Sequence, residues 1–325
     1  MDENHGLLDL VICRIPGLRG EEKIELGKQF DKVEDFSLLS RCDIENILGH
    51  PLRGKSWTMS QIRVLAEKDV IASQRGGICH VSWREETYPP LLREIADPPA
   101  VLFYRGILPD PEKPLVAVVG TRKPTPQGGA RAFALGRELG EANIPAVSGL
   151  ALGIDSFAHR GNIEGRSQTI AVLGSGPDEV YPSSNRNLAR RILETGGLIL
   201  SEYPPGTGVK KWHFPARNRI ISGLSRGTVI VEAPEKSGAL ITAGFALEQG
   251  RDLWVDKAGV ASMRGGGTAR LAEDGAVVIS SARDILLEWN MPYEKKPEIK
   301  KPNHSMENGR TGLASSMAEY LKLKL

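Results

Sequence analysis

Cysteine is scarce in this chain. Its 325 residues hold three (Cys13, Cys42 and Cys79), an odd number, far apart and with no CxxC pair. That argues against a disulfide framework and against a structural zinc site. Charge of one sign is also lacking. Lys and Arg total 42 and Asp and Glu total 40, a net charge of +2. Total charge therefore names no partner, and only local clustering can. No apolar run reaches the roughly 18 residues that a membrane span needs. The N-terminus, MDENHGLL, begins acidic and has no long apolar core, so no signal peptide is expected and a reducing cytoplasm is the default. Signatures of catalysis are missing too. The turn after the first central strand reads GTRKPT, not G-x-G-x-x-G, and the next strand ends on Ser148 rather than on an acid that would hold a ribose. No H-E-x-x-H occurs, and no G-x-x-x-x-G-K-[ST] or G-x-S-x-G directly follows an expected strand: the strings GHPLRGKS and GLSRG lie in the N-terminal helical segment and ahead of the strand at 228–232. We expect no catalytic residues, no cofactor and no metal.

What is present is organised around residues 115–160. An apolar, β-branched run from Val116 to Val119 stops at Gly120 and reads as a buried strand. A helix follows, with Ala132, Leu135, Leu139 and Ala142 on one face. A second strand, 144–147, leads to another small-residue turn, SGLALG. Strands delivered to small-residue loops before helix N-termini are natural phosphate sites. The alternation continues with strands at 169–173, 198–201, 228–232, 253–256 and 276–279, a helix that Asn185 can cap, and a helix after Ser237. It predicts an α/β fold with a mainly parallel sheet whose ligand lies beyond the carboxyl ends of the strands. Val101 to Tyr104 reads as a further short strand. Residues 1–75 read as a separate helical domain with a PGLRG joint, either a plain packing domain or a helix-hairpin-helix-like module. Residues 76–290 form the main domain. Residues 291–325 are a Lys- and Pro-rich linker with one short amphipathic segment.

Two stretches carry the functional signal. From Pro114 to Arg137 there are four basic residues and no acid; from Tyr203 to Arg226 there are five and again no acid. Two acid-free basic loops at one rim suggest a polyanion site. The second, KKWHFPARNR, interleaves Trp212, His213 and Phe214 with cations, a chemistry suited to single strands. Alternatives stand beside each reading. Arg217 and Arg219 could instead pair with Glu202 and Glu232 and brace strand ends, and Phe214 could plug the core. His159 reads as a structural histidine, and Asp155 as the cap of the helix it precedes.

VAVVGTR, SGLALGIDSFAHR, TIAVLGSGPDEVYP, SEYPPG, FPARNRIISGLS and VIVEAPEKSGALITAGFALEQGR follow one another in an order and spacing that resemble the DNA-processing protein family, DprA or Smf. The resemblance covers about residues 85–280, and the N-terminal segment resembles the SAM-like domain of many members. It implies an extended Rossmann-like domain that binds single-stranded DNA, forms homodimers, protects incoming DNA in natural transformation, helps displace single-strand binding protein and loads RecA. By motif, the implied DNA-binding residues are Arg122, Ser148, Gly149, Lys211, Phe214, Arg217, Asn218 and Arg219, with Ser237 and Gly238 nearby. Amides of the SGLA turn would meet phosphates, and Arg122→Ala or Arg217→Ala would weaken binding without unfolding the chain. The sequence departs from the family at Val255-Asp256-Lys257-Ala258-Gly259, where a V-P-G turn is usual, and in the MRGGGTARLAEDGA that follows. A C-terminal winged-helix domain is expected to be absent or truncated. The alternative is a phosphoribohydrolase-like enzyme using Glu202 and Glu232, although its PGGxGT turn is replaced here by PEKSGAL.

Overall fold

The computed structural model describes residues 3–54 and 56–292. The linker and tail expected over 291–325 lie outside the described residues from 293 onward. Five helices open the chain: α1 (Glu3–Cys13), α2 (Gly20–Lys28), α3 (Val33–Ser37), α4 (Arg41–Leu48) and α5 (Met59–Gly76). Reciprocal caps start two of them. The hydroxyls of Ser40 and Thr58 accept from the amides of Asp43 and Gln61, whose side chains accept in return from the Ser40 and Thr58 amides. Leu8, Val11, Leu26, Phe36, Ile44 and Ile62 gather into a core that Val101 and Phe103 of the sheet close.

The remaining elements are β1 (Cys79–Ser82), α6 (Pro90–Arg93), β2 (Val101–Gly106), β3 (Val116–Val119), α7 (Pro126–Glu141), β4 (Ala146–Ser148), α8 (Ile154–Glu164), β5 (Ile170–Val172), α9 (Arg186–Glu194), β6 (Leu198–Ser201), α10 (His213–Leu224), β7 (Gly227–Ile230), α11 (Ala239–Glu248), β8 (Asp252–Asp256), α12 (Lys257–Val260), α13 (Gly266–Glu273), β9 (Val277–Ile279) and α14 (Ala282–Glu288). Among the described residues nine strands form one sheet in the order β1-β2-β6-β5-β4-β3-β7-β8-β9. From β6 to β9 the strands are parallel, and β1 and β2 add an antiparallel edge. The α/β, Rossmann-like fold is thus as the alternation predicts, with β1 as an added strand.

The central strands β3 to β7 are buried on both faces, so they read as largely apolar runs. Ala117 and Val119 turn to the side of α10 and α11; Val116 and Val118 turn to the side of α7, α8 and α14. The order climbs from β3 to β6 on one side and resumes with β7 on the other side of β3. Neighbouring strands β3 and β7 therefore send the chain to opposite faces of the sheet, and a crevice opens beyond their carboxyl ends. The strand expected at 144–147 begins two residues later. Ile144 N still donates to Leu139 O (2.9 Å) across Asn143, whose φ is 60°, so this pair closes α7 rather than opening β4.

Helices α7 and α8 pack backbone to backbone. A Cβ on Gly161 would sit 2.0 Å from Phe133 O, and one on Gly136 would sit 2.3 Å from Ala158 O. Asn162, fully buried beside them, donates to Gly136 O and Ile144 O and accepts from Ala146 N. This holds the entry of β4 and, through it, the turn that follows. Gly161→Ala should lose about 2–3 kcal/mol or more, because backbone must move to relieve the clash. Gly244→Ala, inside α11 with open space around it, should gain about 0.5–1 kcal/mol from helix propensity. Urea denaturation of both variants checks the contrast.

Candidate nucleic-acid interface

The crevice at the β3–β7 switch is a cavity of ≈ 970 Å³. Its first edge is the exit of β3. Thr121 N donates to Glu232 O (2.7 Å), and Thr121 O accepts from Ile154 N (3.2 Å). Pinned on both sides, the turn presents Arg122 and Lys123 to solvent.

The floor is α10. Arg217 is only 4% exposed. One of its Nη atoms donates to Gly149 O (2.8 Å) and to Val172 O, so a single guanidinium ties α10 to the ends of β4 and β5. Gly149 is required here, since a Cβ would stand 2.4 Å from the Arg217 Nη1. Burial draws the Arg217 guanidinium down to about 10, with Asp155 opposing and Arg122 adding to the fall. It stays cationic at neutral pH. Burial pushes the Asp155 carboxyl up, against the pull of Arg217.

Asp155 does not cap its own helix. Its carboxylate accepts from the amides of Gly149 (3.1 Å) and Ala151 (3.3 Å). The SGLA amides expected to meet phosphate are therefore spent on Asp155. Ser148 is fully buried and its hydroxyl donates to Val118 O (2.7 Å). Asn185 likewise does not cap α9; its Nδ2 donates to Leu150 O and Ser156 Oγ and holds the same turn from behind. His159 is fully buried, with Nδ1 2.8 Å from Thr169 Oγ1. Burial, aided by Arg217, draws it down to about 3, so it is a neutral structural residue.

The cavity wall brings Arg122, Lys211, Phe214, Arg217, Asn218, Ser237 and Gly238 together. Phe214 stands half-buried between the Arg122 guanidinium, 5.3 Å from its ring centroid, and Tyr181, whose ring centroid is 5.6 Å away. Asn218 Nδ2 donates to Gly238 O (3.3 Å), which joins α10 to the start of α11. The wall also includes Lys123, Lys236, Arg264 and Tyr181, which the motif reading left out of the site. Lys236 and Arg264 come from loops after β7 and before α13, and only the fold carries them to the rim. Six of the lining residues are basic, and Asp155 is the acid among them. This is the concentration of one sign that the whole-chain charge conceals.

Arg219 is not brought to the cavity. It pairs with Glu202 (2.8 Å) and Asp97 (3.0 Å) and braces the far side of α10. Among the described residues the same pairing occupies Glu202, and Glu232 is equally occupied. Fully buried, Glu232 accepts from Thr125 N and Oγ1 (3.0 Å each) and from Ser262 Oγ (2.9 Å). Neither carboxylate is placed as a general acid or base on a ligand in the cavity, and the phosphoribohydrolase reading loses both of its groups.

The structure also separates two substitutions that the sequence treats alike. Arg217→Ala should cost about 3–5 kcal/mol, because it strips two buried carbonyls and Asp155 of their partner. Arg122→Ala, at an exposed position, should stay within about 0.5 kcal/mol of the parent. Thermal and urea melts of the pair check this, and equal stability of the two variants would remove the brace.

Comparison with known proteins agrees with this architecture. The family model for DNA recombination-mediator protein A matches residues 80–290. DNA processing protein DprA of Bacillus subtilis is 42% identical over 237 residues, which are 71% of this chain and 77% of that protein. The X-ray structure of DprA from Streptococcus pneumoniae aligns at 34% identity with a TM-score of 0.70, covering 88% of this chain and 95% of that one. The structure of DNA processing protein A from Helicobacter pylori, which addresses its single-stranded DNA binding mode, aligns at 29% identity with a TM-score of 0.58 over 66% of this chain and 97% of that one. By its motifs and these matches, the chain belongs to the DNA recombination-mediator protein A family.

Proposed function

We propose that this protein is a non-catalytic binder of single-stranded DNA, and that the cavity at the β3–β7 switch is where the strand is held. The observation that carries this reading is the lining itself: Arg122, Lys123, Lys211, Lys236 and Arg264 around a half-buried Phe214 and Tyr181, above the fixed charge of Arg217. Cations neutralise phosphates, and ring faces accept bases only when those bases are unpaired. Arg also offers a fork that matches a phosphate. The Helicobacter pylori relative, studied for its single-stranded DNA binding mode, supports the same assignment. The site residues we assign are Arg122, Lys211, Phe214, Asn218, Ser237 and Gly238 as ligand-facing groups, and Arg217 as the charged floor.

Within the cell we assign the role that the family resemblance implies. The protein covers incoming single strands during natural transformation, helps displace single-strand binding protein and loads RecA. It works in the cytoplasm as a homodimer, in which two cavities on one strand raise avidity. No helix among the described residues is long and apolar enough to cross a membrane.

Fluorescence anisotropy with labelled oligo-dT and with a duplex, over a range of salt, tests the binding. If about four phosphates are neutralised, log affinity for the single strand should fall against log salt with a slope of about −3. Arg122→Ala and Lys211→Ala should each weaken binding several-fold and flatten that slope by about 0.7. Duplex binding as tight as single-strand binding, or affinity indifferent to salt and to both substitutions, would contradict the reading.

A further inference from the structure

Trp212 lies outside the cavity and has no part in the site described above. It sits at the N-cap of α10, immediately after Lys211, which does line the cavity. It is 67% exposed, whereas Trp254 and Trp289 are buried and Trp57 and Trp83 are half-buried. Exposing so large a ring forfeits burial of its apolar surface. Nothing about its position looks loose. The ring meets His213 edge-on at 5.9 Å and 88°. His213 is buried, stacks on Tyr203 at 3.9 Å and 18°, and its Nδ1 donates to Gly174 O (2.9 Å). His213 N also donates to Lys210 O (3.0 Å), which closes the turn that carries the Trp. An exposed indole is thus mounted on a pile of rings anchored to the end of a central strand, and little ordering entropy remains to be lost when it binds.

Its electrostatic setting selects the ligand. Lys210 Nζ stands 5.4 Å from the indole centroid, and Lys211 leads on to the cavity. No acid occurs between Tyr203 and Arg226. A protein partner would also accept a Trp anchor, but a ring flanked by two lysines, in an acid-free stretch adjoining a basic cavity, is built for a polyanion that carries flat bases. We infer that Trp212 is a second base-stacking subsite, outside the cavity, which receives a nucleotide of the strand as it leaves past Lys211, with Lys210 neutralising the adjoining phosphate. The inference rests on the single-strand reading above and extends it. The strand has a defined exit, and affinity should depend on strand length through one identifiable ring.

Two strands separate the subsite from the cavity: oligo-dT of about 6 nucleotides and of about 20 nucleotides, lengths that bracket common single-strand site sizes. Trp212→Ala, Trp212→Phe and Arg122→Ala are compared with the parent protein, with thermal melts as a control for folding. We expect Trp212→Ala to weaken the longer strand about fivefold or more and to leave the shorter unchanged. Trp212→Phe should retain most of the affinity, and Arg122→Ala should weaken both lengths. The longer strand should quench the intrinsic fluorescence of the parent protein but not that of Trp212→Phe. Unchanged affinity of Trp212→Ala at both lengths would overturn the subsite while leaving the cavity reading in place, and would point to a protein partner for the ring. Equal loss at both lengths would overturn it by making Trp212 part of the cavity. Absence of binding by the parent at either length would take down the cavity reading, and the subsite with it.

Discussion

One buried guanidinium sets the geometry of this protein's site. Arg217 reaches from α10 under the sheet's carboxyl edge and bonds the carbonyls that end β4 and β5. Burying a charge is costly unless its donors are used and an opposite charge is near. Here two carbonyls occupy Nη1 while Nε is buried without a hydrogen-bond partner, and Asp155 supplies the opposite charge. Gly149 follows from it, because a side chain there would displace the Arg. The orientation of α10 follows as well, and with it Phe214 and Asn218, which lie on the face that Arg217 fixes. Asp155 is held between the same Arg and two amides of the SGLA turn, so turn, helix and charge form one unit.

The basic residues of α10 therefore divide by what surrounds them. Arg217 contributes a field from below and takes no ligand at its bonded Nη. Arg219, two residues on, faces the other way and is neutralised by Glu202 and Asp97. The exposed cations, Arg122, Lys123, Lys211, Lys236 and Arg264, come from four separate loops or turns and face the same space. A chain with nearly balanced charge achieves this by placing its acids elsewhere. Glu202, Glu232, Asp155 and Asp256, at or beyond the carboxyl ends of strands, are each spent on a bond inside the protein. The same economy commits Glu202 and Glu232, the two carboxylates that the phosphoribohydrolase reading needs.

Much of this is legible in the sequence, for a physical reason. Parallel strands buried on both faces must be short and apolar, so the runs at Val116, Leu198 and Thr228 announce themselves, as does the helical spacing of Ala132, Leu135 and Leu139. The edge strand Cys79–Ser82 does not, because one apolar residue among polar neighbours has no period to detect. The acid-free basic stretches locate the rim, and the family motifs name most of its residues. The partners of individual side chains stay hidden. Asp155 and Asn185 both read as helix caps, and both turn out to hold the SGLA turn, over spans of up to 35 residues. Whether Arg217 and Arg219 face ligand or protein depends on which strand ends lie within reach. Lys236 and Arg264 join the cavity only through the crossing of β7 and the loop before α13. Local pattern reports what an element is; the destination of a charged side chain is a long-range fact.

The account stands on the claim that a single strand lies against Phe214 and Tyr181 at the β3–β7 switch. Photo-cross-linking of an oligo-dT carrying 5-iodouracil at one central position, followed by mass spectrometry of the adducts, tests this most directly. Adducts on Phe214 or Tyr181, lost when Arg122 is replaced by Ala, are the predicted result. Adducts confined to helices α1 to α5, with the cavity peptides unmodified, would contradict it.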